Sequence, residues 1–169
     1  GAFYQPSMVL CDLDALTTLS KDVFADGCAE VIKYGVIWDE ALFDRLGAGM
    51  AEQTAEVIAR CVTIKAEVVG QDEFDNGVRG LLNFGHTFGH AIEKLSDFGV
   101  SHGEAVAKGM VIAARIAPLC GLCGVAEELE TLLVQYGFDT ACPYAANEIY
   151  DALLTDKKRR GGKISVVLP

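Results

Sequence analysis

The sequence predicts a mainly α-helical domain with short strands near its two ends. Apolar residues recur three and four positions apart through most of the chain, which is the spacing of helices with one buried face. Only residues 8–12 and 163–168 show the apolar or alternating runs of strands. A chain of 169 residues with 51% hydrophobic content can bury one good core. We therefore treat residues 1–169 as one helical domain.

The individual elements follow from local patterns along the chain. The run at 8–12 ends at Asp12, and a strand there needs a partner from elsewhere. Ser20 is a suitable N-cap for the first helix, and residues 75–77 read as a turn. After the Gly161-Gly162 break the chain reads as a strand again. The predicted elements are strand 8–12, helices 20–38, 51–71, 102–119, 125–136 and 146–155, and strand 163–168.

Composition restricts the class of partner. The formal net charge of −10 argues against nucleic acid, because phosphate backbones are bound by basic surfaces. The longest apolar stretch, residues 105–126, is interrupted by Lys108, Arg115 and Pro118, so we expect no membrane-spanning segment. No signal peptide can be read at the start of the chain. Any bound anion must therefore be small and held at a focused site.

The cysteines favour a reducing compartment. Six of them are scattered through apolar helical context, without the short spacing of a disulfide framework. We expect them to be reduced and the protein to be cytoplasmic. Cys120 and Cys123 have the spacing of a redox or zinc pair, but no second pair exists, and Gly121 and Gly124 suggest a helix end.

All three histidines fall within one short segment, residues 79–104. His86 and His90 are four residues apart, so on a helix they share one face, as two metal ligands or a ligand and a proton carrier would. His102 follows shortly after. Core packing does not call for such a concentration, because a buried imidazole must still be hydrogen-bonded. The segment is therefore a candidate metal or proton-transfer site.

Two acidic residues could complete a metal site. Glu30 lies among apolar neighbours, where an unpaired carboxylate would be costly, and Lys33 lies one helical turn further on. The alternative is an ordinary surface ion pair between Glu30 and Lys33. Glu104 is a second candidate ligand, although its position also suits a first-turn acid favoured by the helix dipole.

Several cations could hold an anionic ligand. Lys65 lies in an otherwise apolar stripe, so either its stem covers apolar surface or its ammonium meets an anion. Arg79, near the histidines, could bind a carboxylate or phosphate through two nitrogens. The basic run at 157–160 is interpreted as solvated. Spacing alone thus predicts a metal and anion site in a helical domain.

Seven sequence blocks resemble the C-terminal domain of the 3-dehydroquinate synthase family. They occur in the family's order along nearly the whole chain, and together they are far more specific than any single motif. The blocks are GAFYQP at 1–6, DLDALTTL at 12–19, GCAEVIKYG at 27–35, IKAEVV at 64–69, LNFGHTFGHAIE at 82–93, HGEAVAKGM at 102–110 and DKK at 156–158. The resemblance implies the multihelical C-terminal domain of the dehydroquinate synthase-like fold.

The resemblance also implies roles for individual residues. Glu30, His86 and His102 would be zinc (or cobalt) ligands, and His90 would be a catalytic group beside them. Lys33 and Lys65 would have catalytic and substrate-binding roles. The full set of implied substrate contacts is Lys33, Lys65, Arg79, Asn83, His90 and Lys157.

The family reaction is a shikimate-pathway step. It converts 3-deoxy-D-arabino-heptulosonate 7-phosphate to 3-dehydroquinate and phosphate by NAD-dependent oxidation, elimination, reduction and aldol closure. In the family an NAD-binding domain precedes GAFYQP, so NAD would be bound outside this chain, the fragment alone would be inactive, and the full-length protein would be a homodimer. No nucleic acid or membrane partner is implied. Ser20 stands where the family commonly has proline, which still suits a helix start.

Two other readings remain open from the residues. One is a relative in the same superfamily, either another sugar phosphate cyclase or a zinc polyol dehydrogenase. Arg79, Asn83 and Lys157 favour an acidic phosphorylated substrate over a polyol. The other is a non-catalytic helical module. The intact set of Glu30 and the three histidines argues against it.

Overall fold

The computed structural model describes residues 5–159 and 164–169, apart from the side chains of residues 51 and 156–159. The described part is built from α-helices joined by short loops and 3₁₀ turns, which confirms the mainly helical prediction. The α-helices are α1 Lys21–Ile37, α2 Glu40–Gly47, α3 Thr54–Gln71, α4 His86–Leu95, α5 His102–Ile116, α6 Ala126–Gln135 and α7 Ala146–Arg159. The 3₁₀ turns are Leu13–Thr18, Ala51–Gln53, Val78–Asn83 and Ala117–Cys120.

Side-chain caps fix where several helices begin. Ser20 accepts a hydrogen bond from the backbone N–H of Val23 at the start of α1, as predicted. Ser101 accepts one from the N–H of Glu104 at the start of α5. These caps satisfy backbone donors that the first helical turn leaves without partners. The helix boundaries are thus specified locally.

No pattern noted in the sequence predicts α2. Its cap is Asp39, which accepts from the N–H of Leu42 and also pairs with Arg60 of α3. Leu42 and Leu46 are buried on its inner side. The helix is short, so its stability comes from packing of this narrow apolar face more than from the local sequence.

The core lies where α4 and α5 cross, with α1 packed against α5. Gly85 has a positive φ of 78°, and a Cβ on Gly109 would lie 2.1 Å from the Gly85 carbonyl oxygen. A Cβ on Gly89 would also meet the α5 backbone, at 3.2 Å from the Ala105 oxygen. The two helices therefore touch backbone to backbone, because these glycines have no side chains to keep them apart. The largest fully buried core side chains include Ile32, Phe84, Ile92, Met110, Leu129 and Leu133.

The predicted terminal strands are wrong for the described residues. Residues 8–12 form no strand, and Met8 and Leu10 are 79% and 84% exposed. Residues 164–168 also form no strand, while residue 163 lies outside the described part. A hydrogen bond of 2.9 Å from the Thr87 hydroxyl to the Ser165 carbonyl connects these C-terminal residues to the rest of the domain. A strand needs a neighbouring strand to satisfy its backbone groups, and the helices offer none.

Two further expectations concern the whole chain. Among the described helices, none has both the length and the apolar character that crossing a membrane requires. All six cysteines are free. Cys120 and Cys123 are exposed at the end of the 3₁₀ turn, where Gly121 has a positive φ of 78°, in agreement with a helix end there.

Candidate metal and substrate site

Three side chains from different helices meet at one point, and we call Glu30, His86 and His102 the metal-ligand cluster. Glu30 lies in α1, whereas His86 and His102 are the first residues of α4 and α5. Each contributes one potential ligand atom, and the three atoms lie within 4.8 Å of one another. A separation of this size is compatible with one metal ion between them.

Packing of the helix starts explains why these residues meet. A Cβ on Gly103 would lie 2.4 Å from the Asp26 Cα atom, so the beginning of α5 lies directly on α1. Asp26 also accepts a hydrogen bond of 2.6 Å from the hydroxyl of Ser101, the cap of α5. Glu30 is one turn after Asp26 and faces the same way. The residues on either side of His102 therefore bring it to Glu30.

The second nitrogen of each cluster histidine is held by an acceptor. His86 Nδ1 lies 3.1 Å from the Phe84 carbonyl oxygen, and His102 Nδ1 lies 2.9 Å from Glu93 Oε1. A carbonyl and an ionised carboxylate can only accept, so Nδ1 carries the proton in both rings. In the neutral histidines, Nε2 therefore presents a lone pair.

The lone pairs converge on Glu30. Its Oε1 atom is 3.2 Å from His86 Nε2 and 3.5 Å from His102 Nε2, yet this buried oxygen has no hydrogen-bond partner. Three acceptor atoms face one another with no donor between them in the neutral state. A cation satisfies all three at once, so the residues fit a divalent metal.

Lys33 completes the inner side of the site. Its side chain is only 5% exposed, and its ammonium donates to Glu30 Oε2. It also lies 5.5 Å from the centre of the Tyr34 ring. The Glu30–Lys33 ion pair of the alternative reading is present, but it is not an ordinary surface pair, because the Lys33 side chain is buried.

Charge keeps Glu30 ionised. Burial alone would raise the pKa of this carboxyl, but the Lys33 ammonium, together with the His86 ring when it is protonated, lowers the pKa to about 2. A carboxylate with such a low pKa is available as a metal ligand over the whole neutral range. The second acidic candidate, Glu104, is not in the cluster and instead pairs with buried Lys108 at 3.2 Å.

His90 stands beside the metal-ligand cluster. The pattern of two histidines four residues apart made it an equal candidate ligand, but the group of converging ligand atoms does not include it. Its ring centre lies 5.6 Å from that of His86 and 6.4 Å from that of His102. The side chain is exposed. Its position suits a group that acts on a molecule bound next to the metal.

A cavity of about 760 Å³ opens next to these histidines. Its lining includes Asn83, His86, His90 and the C-terminal residues 164–168. A volume of this size accommodates a small metabolite. The Thr87–Ser165 hydrogen bond noted above holds the C-terminal segment in place as a wall of the cavity.

The remaining predicted substrate contacts are not gathered around this cavity. Arg79 is half-buried, and its guanidinium donates to the Glu73 carbonyl at 2.7 Å. Lys65 is exposed on α3, so its ammonium is in solvent and not in the apolar stripe. Neither residue lines the cavity. The side chain of Lys157 lies outside the described part of the chain.

The sequence patterns assigned no role to Glu93, whose carboxylate contacts the His102 ring. A signal was present, because Glu93 follows His86 by seven residues and so lies two turns along the same face of α4. The contact with His102 could not be read from that spacing, since it depends on how α5 crosses α4.

Comparison with a solved structure defines the class of protein. The fold is similar to that of 2-epi-5-epi-valiolone synthase (ValA) from Streptomyces hygroscopicus subsp. jinggangensis 5008, which was solved with NAD⁺ and Zn²⁺ bound. The TM-score is 0.78 at 26% identity, and the match covers 89% of this chain and 45% of that one. The domain therefore has the multihelical fold of a sugar phosphate cyclase of the dehydroquinate synthase-like class.

Sequence comparison gives the particular family. The "3-dehydroquinate synthase C-terminal" family matches residues 27–159. The 3-dehydroquinate synthase of Acaryochloris marina is 46% identical over all of this chain and 49% of the relative, and that of Pelobacter propionicus is 45% identical over 99% and 50%. The chain thus spans about half the length of these relatives. It belongs to the 3-dehydroquinate synthase family, within which it corresponds to the C-terminal domain.

Proposed function

We propose that residues 1–169 form the metal- and substrate-binding domain of a 3-dehydroquinate synthase. The observation that carries this proposal is the convergence of Glu30, His86 and His102 around a buried carboxylate oxygen without a hydrogen-bond partner. Family membership and the adjacent cavity support it. The substrate would be 3-deoxy-D-arabino-heptulosonate 7-phosphate, and the products 3-dehydroquinate and phosphate.

The proposed metal is Zn²⁺, with Co²⁺ as a functional substitute. Imidazole nitrogens and one carboxylate are a ligand set that zinc accepts, and three protein ligands leave a position open for substrate. Bound there, the ion would polarise a substrate hydroxyl and so ease its oxidation and the loss of the neighbouring proton. We propose that NAD is bound by a domain outside these residues, which the NAD⁺-bound structural neighbour supports.

The chain's own residues have distinct proposed tasks. His90 is exposed to the cavity beside the cluster, where it can take or give a proton at the substrate's phosphate-bearing end. Lys33 keeps Glu30 ionised and can donate to a substrate oxygen next to the metal. Asn83 offers an amide to the cavity. Lys65, Arg79 and Lys157 are proposed to bind the substrate carboxylate or phosphate, which requires them to reach toward the cavity when substrate is present.

The proposed partners and location follow from the same reading. The ligand is a small phosphorylated sugar acid, and the longer protein is proposed to be a homodimer. The six free cysteines support a reducing compartment, for which we propose the cytoplasm.

The metal site is tested by measuring metal content. The chain, loaded with Zn²⁺ and freed of excess ion, should retain about one ion, and His86→Ala and His102→Ala should lose it. Histidines must be neutral to bind metal, so affinity should fall as the pH drops below about 6.5. Lys94→Ala, on the exposed side of α4, is a matched control that should retain the ion. Unchanged zinc content in both histidine variants would refute the site.

The reaction is tested with a longer protein that joins this chain to an NAD-binding domain. Phosphate release from 3-deoxy-D-arabino-heptulosonate 7-phosphate is compared with release from sedoheptulose 7-phosphate. The structural similarity to 2-epi-5-epi-valiolone synthase makes another sugar phosphate cyclase the second candidate function. Faster turnover of sedoheptulose 7-phosphate, which lacks the carboxylate, would favour that second candidate.

A further inference from the structure

Glu93 contacts the metal-ligand cluster from outside it. Its carboxylate oxygen Oε1 lies 2.9 Å from His102 Nδ1, on the side of the ring opposite to Glu30. The Glu93 side chain is only 16% exposed, whereas that of His102 is 50% exposed. A half-exposed ring has little packing to fix its orientation, so the hydrogen bond to Glu93 is its principal restraint on that side.

The two cluster histidines differ in this respect. His86 is 15% exposed, and its Nδ1 is bonded to the backbone carbonyl of Phe84, two residues earlier. Packing and a local backbone group therefore orient His86. The orientation of His102 instead depends on one ionisable side chain from a different helix. Removing that side chain leaves no equivalent acceptor in the contacts described for His102.

The position of Glu93 is itself well fixed. Its backbone carbonyl accepts hydrogen bonds from the Ser96 hydroxyl and from the N–H of Phe98, both at 2.8 Å. These bonds close the end of α4. The following loop turns back to α5 through positive φ angles at Asp97 and Phe98. The carboxylate thus starts from a rigid helix end that faces the beginning of α5.

We propose that Glu93 is a positioning residue that fixes His102 in the Nδ1–H form, directs its Nε2 lone pair at the metal and so raises metal affinity. The inference rests on the proposed metal site. A carboxylate on the far nitrogen orients a ligand histidine and makes it a stronger donor, and removal of such partners weakens metal binding by roughly 10- to 100-fold. The local structure predicts that His102, and not His86, needs this support.

The first test is a Zn²⁺ and Co²⁺ titration of the 169-residue chain. Glu93→Ala removes the acceptor and should weaken binding by roughly 10- to 100-fold. Glu93→Gln keeps an oxygen acceptor but not the charge, and should lose roughly three- to tenfold. Glu104→Gln, with the same change of charge two residues from His102, is the matched control and should bind as the wild type does.

The second test reads the tautomer of His102 directly. In the metal-free chain at about pH 8, where histidines are neutral, ¹⁵N NMR should show the Nδ1–H form for both His86 and His102. Glu93→Ala should change the tautomer balance of His102 alone, with His86 as the internal reference, and Glu93→Gln should restore it. A general loss of stability would not produce this selective change.

Wild-type metal affinity in either Glu93 variant, or an unchanged His102 tautomer in Glu93→Ala, would overturn the proposal. If the alanine variant does not fold, the affinity of Glu93→Gln decides alone. His86→Ala and His102→Ala are titrated in parallel. If they lose metal while the Glu93 variants do not, only the role of Glu93 is rejected. If neither set changes metal binding, the metal site itself is rejected.

Discussion

The metal-ligand cluster and the outer cations Lys65 and Arg79 are positioned in different ways. The cluster is assembled by backbone packing, because glycines let α1, α4 and α5 approach closely at the points where the ligands begin. Lys65 is exposed, and Arg79 donates to a backbone carbonyl and does not line the cavity. Neutral imidazoles and a carboxylate can be gathered at modest cost, whereas like charges repel unless an anion lies between them. The candidate metal site is therefore preformed, and we expect the proposed anion site to form with the substrate.

The largest effect should come from filling the α4–α5 contact. A Cβ added by Gly109→Ala would lie 2.1 Å from the Gly85 oxygen and 2.7 Å from the Gly89 nitrogen. Neither backbone atom can move independently, so we expect a loss of about 3 kcal/mol or more in the free energy of unfolding, with loss of metal binding. Urea unfolding and zinc content measure both effects.

Gly70→Ala is the matched control for that substitution. Gly70 is an exposed helical glycine in α3, and no atom lies within 4 Å of the position that an added methyl group would take. The alanine should stabilise the helix by up to about 1 kcal/mol. If both glycine variants unfold alike, close packing of α4 on α5 is not what assembles the cluster.

The next largest effect should come from His90, which lies beside the metal-ligand cluster and lines the cavity. In the longer protein, His90→Ala should retain near-stoichiometric zinc while turnover falls by roughly two to four orders of magnitude, the usual contribution of a positioned acid or base. His86→Ala should lose metal and activity together. Loss of zinc in step with activity in His90→Ala would make His90 a ligand and leave His102 as the proton carrier.

A smaller effect is expected from the outer cations. Lys65→Ala removes an exposed side chain, so the free energy of unfolding should change by less than about 0.5 kcal/mol, and zinc content should stay constant. Loss of a charged hydrogen bond to substrate should lower kcat/KM by roughly 10- to 100-fold in the longer protein. Lys21→Ala, exposed at the start of α1, is the control. Equal kinetics in the two lysine variants would exclude Lys65 from the site.

The smallest effect is a pH dependence at the loop that carries Arg79. Backbone N–H groups of Asn76, Arg79 and Gly77 donate to the Asp72 carboxylate, which outweighs its slight desolvation and lowers its pKa from an ordinary value of 3.8. Because the folded pKa is the lower one, the stabilising contribution is present above about pH 4 and disappears as the pH falls through the folded pKa.

Asp72→Asn tests that dependence. The variant should be less stable than the wild type at pH 7, and the difference should shrink below about pH 4, as urea unfolding at several pH values would measure. A difference that stays constant down to about pH 2 would mean that the Asp72 charge contributes nothing to the loop.

The helices show how much of the fold can be predicted from local sequence patterns. The bounds of α1 follow from its Ser20 cap and apolar spacing, and the structure places them within a residue of the prediction. The short helix α2 has too few periodic residues to be recognised, and its buried leucines are fixed by contacts with other helices. The strand predictions failed for a related reason: an alternating run becomes a strand only if another strand lies beside it.

The sequence by itself determined the helical class, the family and the identity of the candidate ligands. These depend on residue types and spacings that are local or that match the family in order. It left His86 and His90 equivalent by spacing, and it gave no role to Glu93. The crossing of α4, α5 and α1 brings His102 to Glu30 in space and places Glu93 against the far nitrogen of His102, because those contacts are set by packing between residues distant in the chain.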